Sequence, residues 1–191
     1  MREQWKLIDS GSTMFDFENY YTNVAESMPQ EGGRIVEVGV SAGRSIIFLC
    51  ETLLNMGKSF RLIGVDNLDY GNAKQLNSIM SNIGKAGLGE YIEFWAMSSL
   101  DASTMFPDGY LHHCFIDSSH KFEQTKAEAR CWYRKMLHSR WLSGHDYFSD
   151  ENPEVRQAID EVIPADRLFT QPTTHGSGIW TITKDDNLPF I

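Results

Sequence analysis

The chain has 191 residues, of which 41% are hydrophobic and 23% charged, and a formal net charge of −9. That length suits one domain whose core needs no covalent staples. The acidic balance, with no Lys/Arg run, argues against nucleic acid as a partner, because such a protein needs a basic face. Cys50, Cys114 and Cys131 are widely spaced and odd in number, and they read as free thiols of a reducing compartment. The opening Met1-Arg-Glu-Gln-Trp-Lys has no apolar signal segment, and the longest strongly apolar run, Ile46 to Cys50, is too short to span a bilayer. The expectation is a cytoplasmic protein with no membrane partner.

Residues 14–28 carry Phe15, Phe17, Tyr20 and Tyr21, and then Val24, Ala25 and Met28 continue a helical face. Pro29 to Gly33 break it. Residues 34–40 read as a first strand and 44–56 as an apolar helix ended by Gly57. Arg61 to Asp66 is a second strand that ends in an acid. A helix is expected at 73–83, with Leu76, Ile79, Met80 and Ile83 on one face. A third strand follows at Tyr91 to Ala96 and a fourth at His112 to Asp117, again ending in an acid. Residues 121–137 read as a long helix and Ser139 to Ser143 as a short fifth strand. Pro153 opens a helix through Val162, at a first turn where its missing N–H costs nothing. Arg167 to Gln171 and Ser177 to Thr183 flank a Gly/Thr-rich turn and read as a hairpin.

Strands alternating with helices predict a mostly parallel α/β sheet of seven strands, covered on both faces, with an antiparallel C-terminal hairpin strand. No repeat, low-complexity stretch or linker interrupts it, so residues 1–191 are expected to form one domain. Residues 31–184 would be its core, and residues 1–30 a helical lid or dimer segment.

In an open parallel sheet, ligands bind beyond the carboxyl ends of the strands. This chain places polar groups at nearly every such end. The first gives Glu37 and a loop bracketed by Gly39 and Gly43. The second gives Asp66 and Asn67, and the third gives Met97, Ser98 and Ser99. The fourth gives Asp117, Ser119 and His120, and the fifth gives His145 and Asp146. Glu37 beside a glycine turn would repel a phosphate, so it suits a ligand carrying an amine or hydroxyls. Asp66 suits a ribose diol, which also occurs in nicotinamide-dependent enzymes. Against that reading, the loop has Ser41 where the second glycine of G-x-G-x-x-G would stand.

The ordered set Glu37-Val-Gly-Val-Ser-Ala-Gly43, Val65-Asp-Asn67, Phe115-Ile-Asp-Ser-Ser-His120 and Gly144-His-Asp-Tyr147 resembles the class I S-adenosylmethionine-dependent methyltransferases. Its later motifs resemble the metal-dependent O-methyltransferases of the macrocin and cephalosporin-biosynthesis type. The resemblance implies a Rossmann-like three-layer sandwich and S-adenosylmethionine as cofactor. It implies that Glu37, Gly39, Ser41 and Gly43 hold the methionine portion. Asp66 would bind the ribose, with Asn67, Met97 and Ser98 near the adenine. Asp117 would serve both the cofactor site and, with His145 and Asp146, a divalent metal (Mg²⁺ or Mn²⁺), while His120 would be the general base. The family usually has a carboxylate where this chain has His145, and imidazole is a softer ligand than Mg²⁺ prefers. The implied partner is a small-molecule acceptor, a sugar or natural-product hydroxyl. With so short an N-terminal segment, a second copy of the chain could close the site as a homodimer. The alternatives are a nicotinamide-dependent oxidoreductase and a non-catalytic cofactor-binding module.

Overall fold

The computed structural model describes residues 1–8, 16–69 and 72–187. Its seven strands belong to one mixed, mostly parallel sheet, and the chain divides into two compact units, Met1–Ser98 and Ser99–Ile191.

The first unit contains α1 (Glu18–Ser27), β1 (Gly33–Val38), α2 (Arg44–Asn55), β2 (Phe60–Asp66), α3 (Asn72–Lys85) and β3 (Ile92–Ala96). β1 and β2 read as nearly continuous apolar runs because a parallel strand is buried on both faces. β2 pairs in parallel with both β1 and β3. The expected apolar face of α2 is observed, with Ile46, Ile47, Leu49, Cys50 and Leu53 fully buried. Glu51 on the same helix is also buried. Its carboxylate accepts the backbone N–H groups of Gln4 and Trp5 at 3.0 and 3.2 Å and so holds a short 3-10 turn, Gln4–Leu7, that the sequence did not announce. Phe17, Tyr20 and Tyr21, expected in a lid or dimer contact, are buried within this unit. Phe15 lies outside the described residues. The Lys58 ammonium fastens the end of α1 by donating to the carbonyls of Ala25, Glu26 and Met28 at 2.6, 2.8 and 2.7 Å. A cation there also complements the negative end of the helix dipole.

The second unit contains α4 (Ser99–Thr104), β4 (Leu111–Ile116), α5 (Phe122–Lys135), β5 (Met136–Gly144), α6 (Pro153–Val162), β6 (Leu168–Gln171) and β7 (Ile179–Thr183). β4 and β5 are parallel neighbours, and β7 runs antiparallel between β5 and β6. The expected hairpin is therefore present. α4 is absent from the sequence reading because Ser-Leu-Asp-Ala-Ser-Thr has no apolar period. It draws Ser99 away from the strand-end set, since Ser99 is buried and its hydroxyl accepts the Trp132 indole N–H at 2.9 Å. Trp132 and Trp180 are buried core residues, whereas Trp95 and Trp141 are half-buried. His113 is fully buried, and burial pushes its pKa down to about 3, which makes it a neutral structural histidine. Cys50 and Cys114 are buried free thiols, Cys131 a half-buried one.

Gly144 ends β5 where two groups crowd it. A Cβ there would come within 2.5 Å of the Trp180 ring and 2.6 Å of the Ile116 carbonyl oxygen. Gly144→Ala should therefore destabilise the protein by about 1–3 kcal/mol, the range for overpacking a filled core. The urea midpoint at unchanged m-value would measure it, and an unaltered midpoint would mean that Trp180 gives way freely.

Candidate functional site

Strand register builds the first group of site residues. Val38 stands opposite Val65, and the Gly39 N–H continues the ladder to the Val65 carbonyl at 2.8 Å, so the glycine loop opens beside the end of β2. Gly39 and Gly43 have φ of 84° and 87°, a region costly to side chains, which is why this loop needs glycine at both places. Ser41 also takes a positive φ, 50°. Asp66 holds the loop in that shape. Its Oδ2 accepts the N–H groups of Val40 and Ser41 at 2.9 and 3.2 Å, and its Oδ1 accepts that of Leu68 at 2.8 Å. The amides that could cradle a phosphate are thus already donated to a carboxylate of the protein.

Glu37 points its buried carboxylate at two hydroxyls. Oε1 accepts from Ser45 at 2.5 Å and Oε2 from Tyr21 at 2.8 Å. Neither partner was identified from the sequence. Ser45 had a signal, since it follows Gly43 in the first turn of α2. Tyr21 had none, being an aromatic residue in a helix 16 positions upstream. Asn67 is exposed and folded onto Asp69, to which its side-chain amide donates at 2.6 Å. Met97 and Ser98 are half-buried just past β3, and the Met97 N–H donates to the Asp66 carbonyl at 3.1 Å. The first unit therefore brings together Glu37, Gly39, Ser41, Gly43, Asp66 and Met97, with Ser98 next in the chain and Asn67 turned outward.

In the second unit, register again makes the site. Ile116 pairs with Gly144, and the His145 N–H bonds to the Ile116 carbonyl at 3.0 Å, so Asp117 and His145 leave adjacent strand ends together. Asp146 follows with a φ of 63°, a conformation a non-glycine residue rarely adopts and one that turns its side chain back toward its neighbours. His120 Nε2 lies 2.8 Å from Asp146 and 3.8 Å from Asp117. His145 Nδ1 lies 3.5 Å from Asp146 and 3.8 Å from Asp117. One ligand atom each from Asp117, His120 and Asp146 falls within a 4.8 Å group. Asp117, His120 and His145 also line a cavity of about 10 Å³, room for one water or ion.

Helix α5 starts directly after this group without using His120 as a cap. Glu154 of α6 supplies that service, accepting the Phe122 N–H at 2.9 Å. His120 is thereby left facing the two carboxylates. Its Nε2 lies against Asp146, an ion pair when the imidazole is protonated. Asp117 and Asp146 together hold the imidazole pKa up to about 10 against burial, which lowers it. Burial pushes Asp146 up, but His120 and the charge of His145 outweigh it and bring Asp146 below the usual carboxylate range. Behind the loop, the buried Glu128 accepts from Ser118 at 2.8 Å and from Gln124 at 3.0 Å. These bonds only partly offset the burial that raises its pKa.

Two carboxylates and an imidazole, with ligand atoms within 4.8 Å of one another, form a group that could hold a cation. The donor set fits a divalent ion, and its mix of oxygen and nitrogen suits Mn²⁺, Fe²⁺ or Zn²⁺ better than Mg²⁺.

Residues 36–147, more than half of the chain, match the family model Methyltransf_24, described as a methyltransferase domain. The chain belongs to this methyltransferase family. No curated protein matches it. Among solved structures it is similar to cofactor-bound Rv0187 from MTB, at 15% identity over 95% of this chain and 86% of that one, with a TM-score of 0.71. It is similar to an O-methyltransferase from Bacillus cereus in complex with SAH, at 16% identity over 94% and 86%, with a TM-score of 0.68. It also resembles the tRNA (m1A58) methyltransferase TrmI from Aquifex aeolicus, at 12% identity over 97% and 76%, with a TM-score of 0.70. The fold is the Rossmann-like class I methyltransferase fold, as the motifs implied.

Two predictions follow the site's own chemistry. Asp66→Ala strands three loop amides and should lower stability without ligand by about 1.5–3 kcal/mol, the range for bonds to a charged acceptor. Denaturant titration would measure it, and an unchanged midpoint would mean that the loop does not depend on Asp66. The second concerns pH. The folded pKa of His120, about 10, exceeds the ordinary 6.5, so its stabilisation is complete below pH 6.5 and is lost as pH rises through about 10. In metal-free buffer, the melting-temperature gap between wild type and His120→Gln should be widest near pH 6 and narrow steadily toward pH 10. A gap that widens with pH would refute the charged imidazole.

Proposed function

We propose that the protein is an S-adenosylmethionine-dependent O-methyltransferase that acts on a hydroxyl of a small molecule, a sugar or natural product, with the help of a divalent cation. The observation that carries the reading is the pair of carboxylates at the glycine loop. Glu37 is buried and held at both oxygens, and Asp66 occupies the loop amides. A dinucleotide pyrophosphate would find there two negative charges and no free amides at Val40 and Ser41. A cofactor with a cationic amino-acid end and a ribose suits the same groups. In this reading Glu37 and the loop from Gly39 through Ser41 to Gly43 take the methionine portion. Asp66 offers its remaining lone pair to the ribose, and Asn67, Met97 and Ser98 flank the adenine.

In the transfer itself, the acceptor oxygen attacks the methyl carbon. The carbon–sulfur bond breaks with its electron pair going to sulfur, and the hydroxyl proton leaves to a base. Asp117 and Asp146, with one imidazole, would hold a divalent ion, and the other imidazole would take the proton. The distances favour His120 as the ligand, because its Nε2 is 2.8 Å from Asp146 while His145 Nδ1 comes no closer than 3.5 Å. This exchanges the roles that the family resemblance implied for the two histidines. A bound divalent ion would supply positive charge that lowers the pKa of an acceptor hydroxyl. Asp117, as an anionic group of the cation site, needs no further role in cofactor contact.

S-adenosylhomocysteine should raise the melting temperature in a concentration-dependent way, and NAD should leave it unchanged. Stabilisation by NAD alone would overturn the reading. Mn²⁺ titration, followed by calorimetry, would separate the histidines. His120→Ala should weaken binding on the order of tenfold or more, as expected on losing one of three protein ligands. His145→Ala should retain binding and lose turnover. The reverse pattern would restore the original assignment.

A further inference from the structure

We propose that Tyr21 is a positioning residue for the cofactor's amino-acid end, so that helix α1 belongs to the cofactor site. The inference rests on the reading that S-adenosylmethionine binds at the Glu37–Gly43 loop. Glu37 sits on β1 with 1% of its surface exposed, where a carboxylate's direction is set by its donors and the low dielectric strengthens each bond. One donor, Ser45, belongs to the loop-helix unit itself. Another is the phenol of Tyr21, 2.8 Å from Oε2 and contributed by a separate helix. Tyr21 has no freedom to do otherwise. Its ring is fully buried and stands edge-on to Phe17, with centroids 5.1 Å apart and planes at 83°. The helix that carries it is tied down at its far end by Lys58 on three carbonyls. A phenol so fixed sets the rotation of the Glu37 carboxylate before any ligand arrives, and thus the direction in which it can accept from an ammonium group.

The test compares two ligands that differ only at the end Glu37 would recognise. S-adenosylhomocysteine carries the ammonium and carboxylate, and 5′-methylthioadenosine has the same nucleoside and sulfur without them. In calorimetry, Tyr21→Phe, which keeps the ring, should weaken S-adenosylhomocysteine on the order of tenfold or more. It should leave methylthioadenosine within about twofold. Combined with Glu37→Gln, it should add little further loss, because both changes act through one group. A second measurement needs no variant. In the wild-type protein, S-adenosylhomocysteine should slow hydrogen exchange of the α1 amides around Tyr21, and methylthioadenosine should not. Equal effects on both ligands in either experiment, or none on either, would reduce Tyr21 to packing and overturn the inference. A wild-type protein that binds neither ligand would overturn the cofactor reading, and the inference with it.

Discussion

Parallel pairing of neighbouring strands ends the two partners at the same level, and both groups of site residues depend on it. Val38 faces Val65 and Ile116 faces Gly144, so the residues that follow emerge side by side into loops. Beyond those ends the backbone can no longer be satisfied by the ladder, and side chains take over. Asp66 gathers the amides of the glycine loop, and the His145 N–H takes the last carbonyl of β4. A slip of one residue in either pair would turn every one of these side chains to the other face of the sheet.

Buried carboxylates give this molecule much of its local definition. Glu51 holds the first residues of the chain, Glu37 joins α1 to the first turn of α2, and Glu128 holds Ser118 in the loop between Asp117 and His120. Each is costly to desolvate and is offset by two or more donors, which must be in place together. Such groups contribute less to overall stability than to a single arrangement of loops that would otherwise have many.

The group of Asp117, His120 and Asp146 shows what two carboxylates do to an imidazole held between them. Two carboxylates facing one imidazole favour a positive charge between them, and the proton supplies it when nothing else does. A base must be neutral before it can act. The same geometry that makes His120 a good partner for the carboxylates therefore makes it a poor proton acceptor near neutral pH. The other imidazole, His145, is buried and lies farther from Asp146, at 3.5 Å, and equally far from Asp117, at 3.8 Å.

How far the sequence reached can be judged residue by residue. Most strand positions were legible because continuous β-branched runs such as Arg34-Ile-Val-Glu-Val38 admit few alternatives, but β5 begins at Met136, inside the stretch expected to be helix. The helix at Pro153–Val162 was legible to the residue because proline fixes its first turn. The glycine loop and the acids at the strand ends could be read because position in a parallel sheet already assigns them to one edge. α4 was not legible, having no apolar period. The sequence by itself determined the order of the strands, the family and the set of groups offered at the strand ends. Tertiary structure alone decided which of them meet. That Tyr21 reaches Glu37, that Asp66 holds the loop amides and that His120 lies closer than His145 to Asp146 are outcomes of register and helix docking. Each is a matter of a few ångströms between residues distant in the chain, and local residue pattern carries no record of such distances.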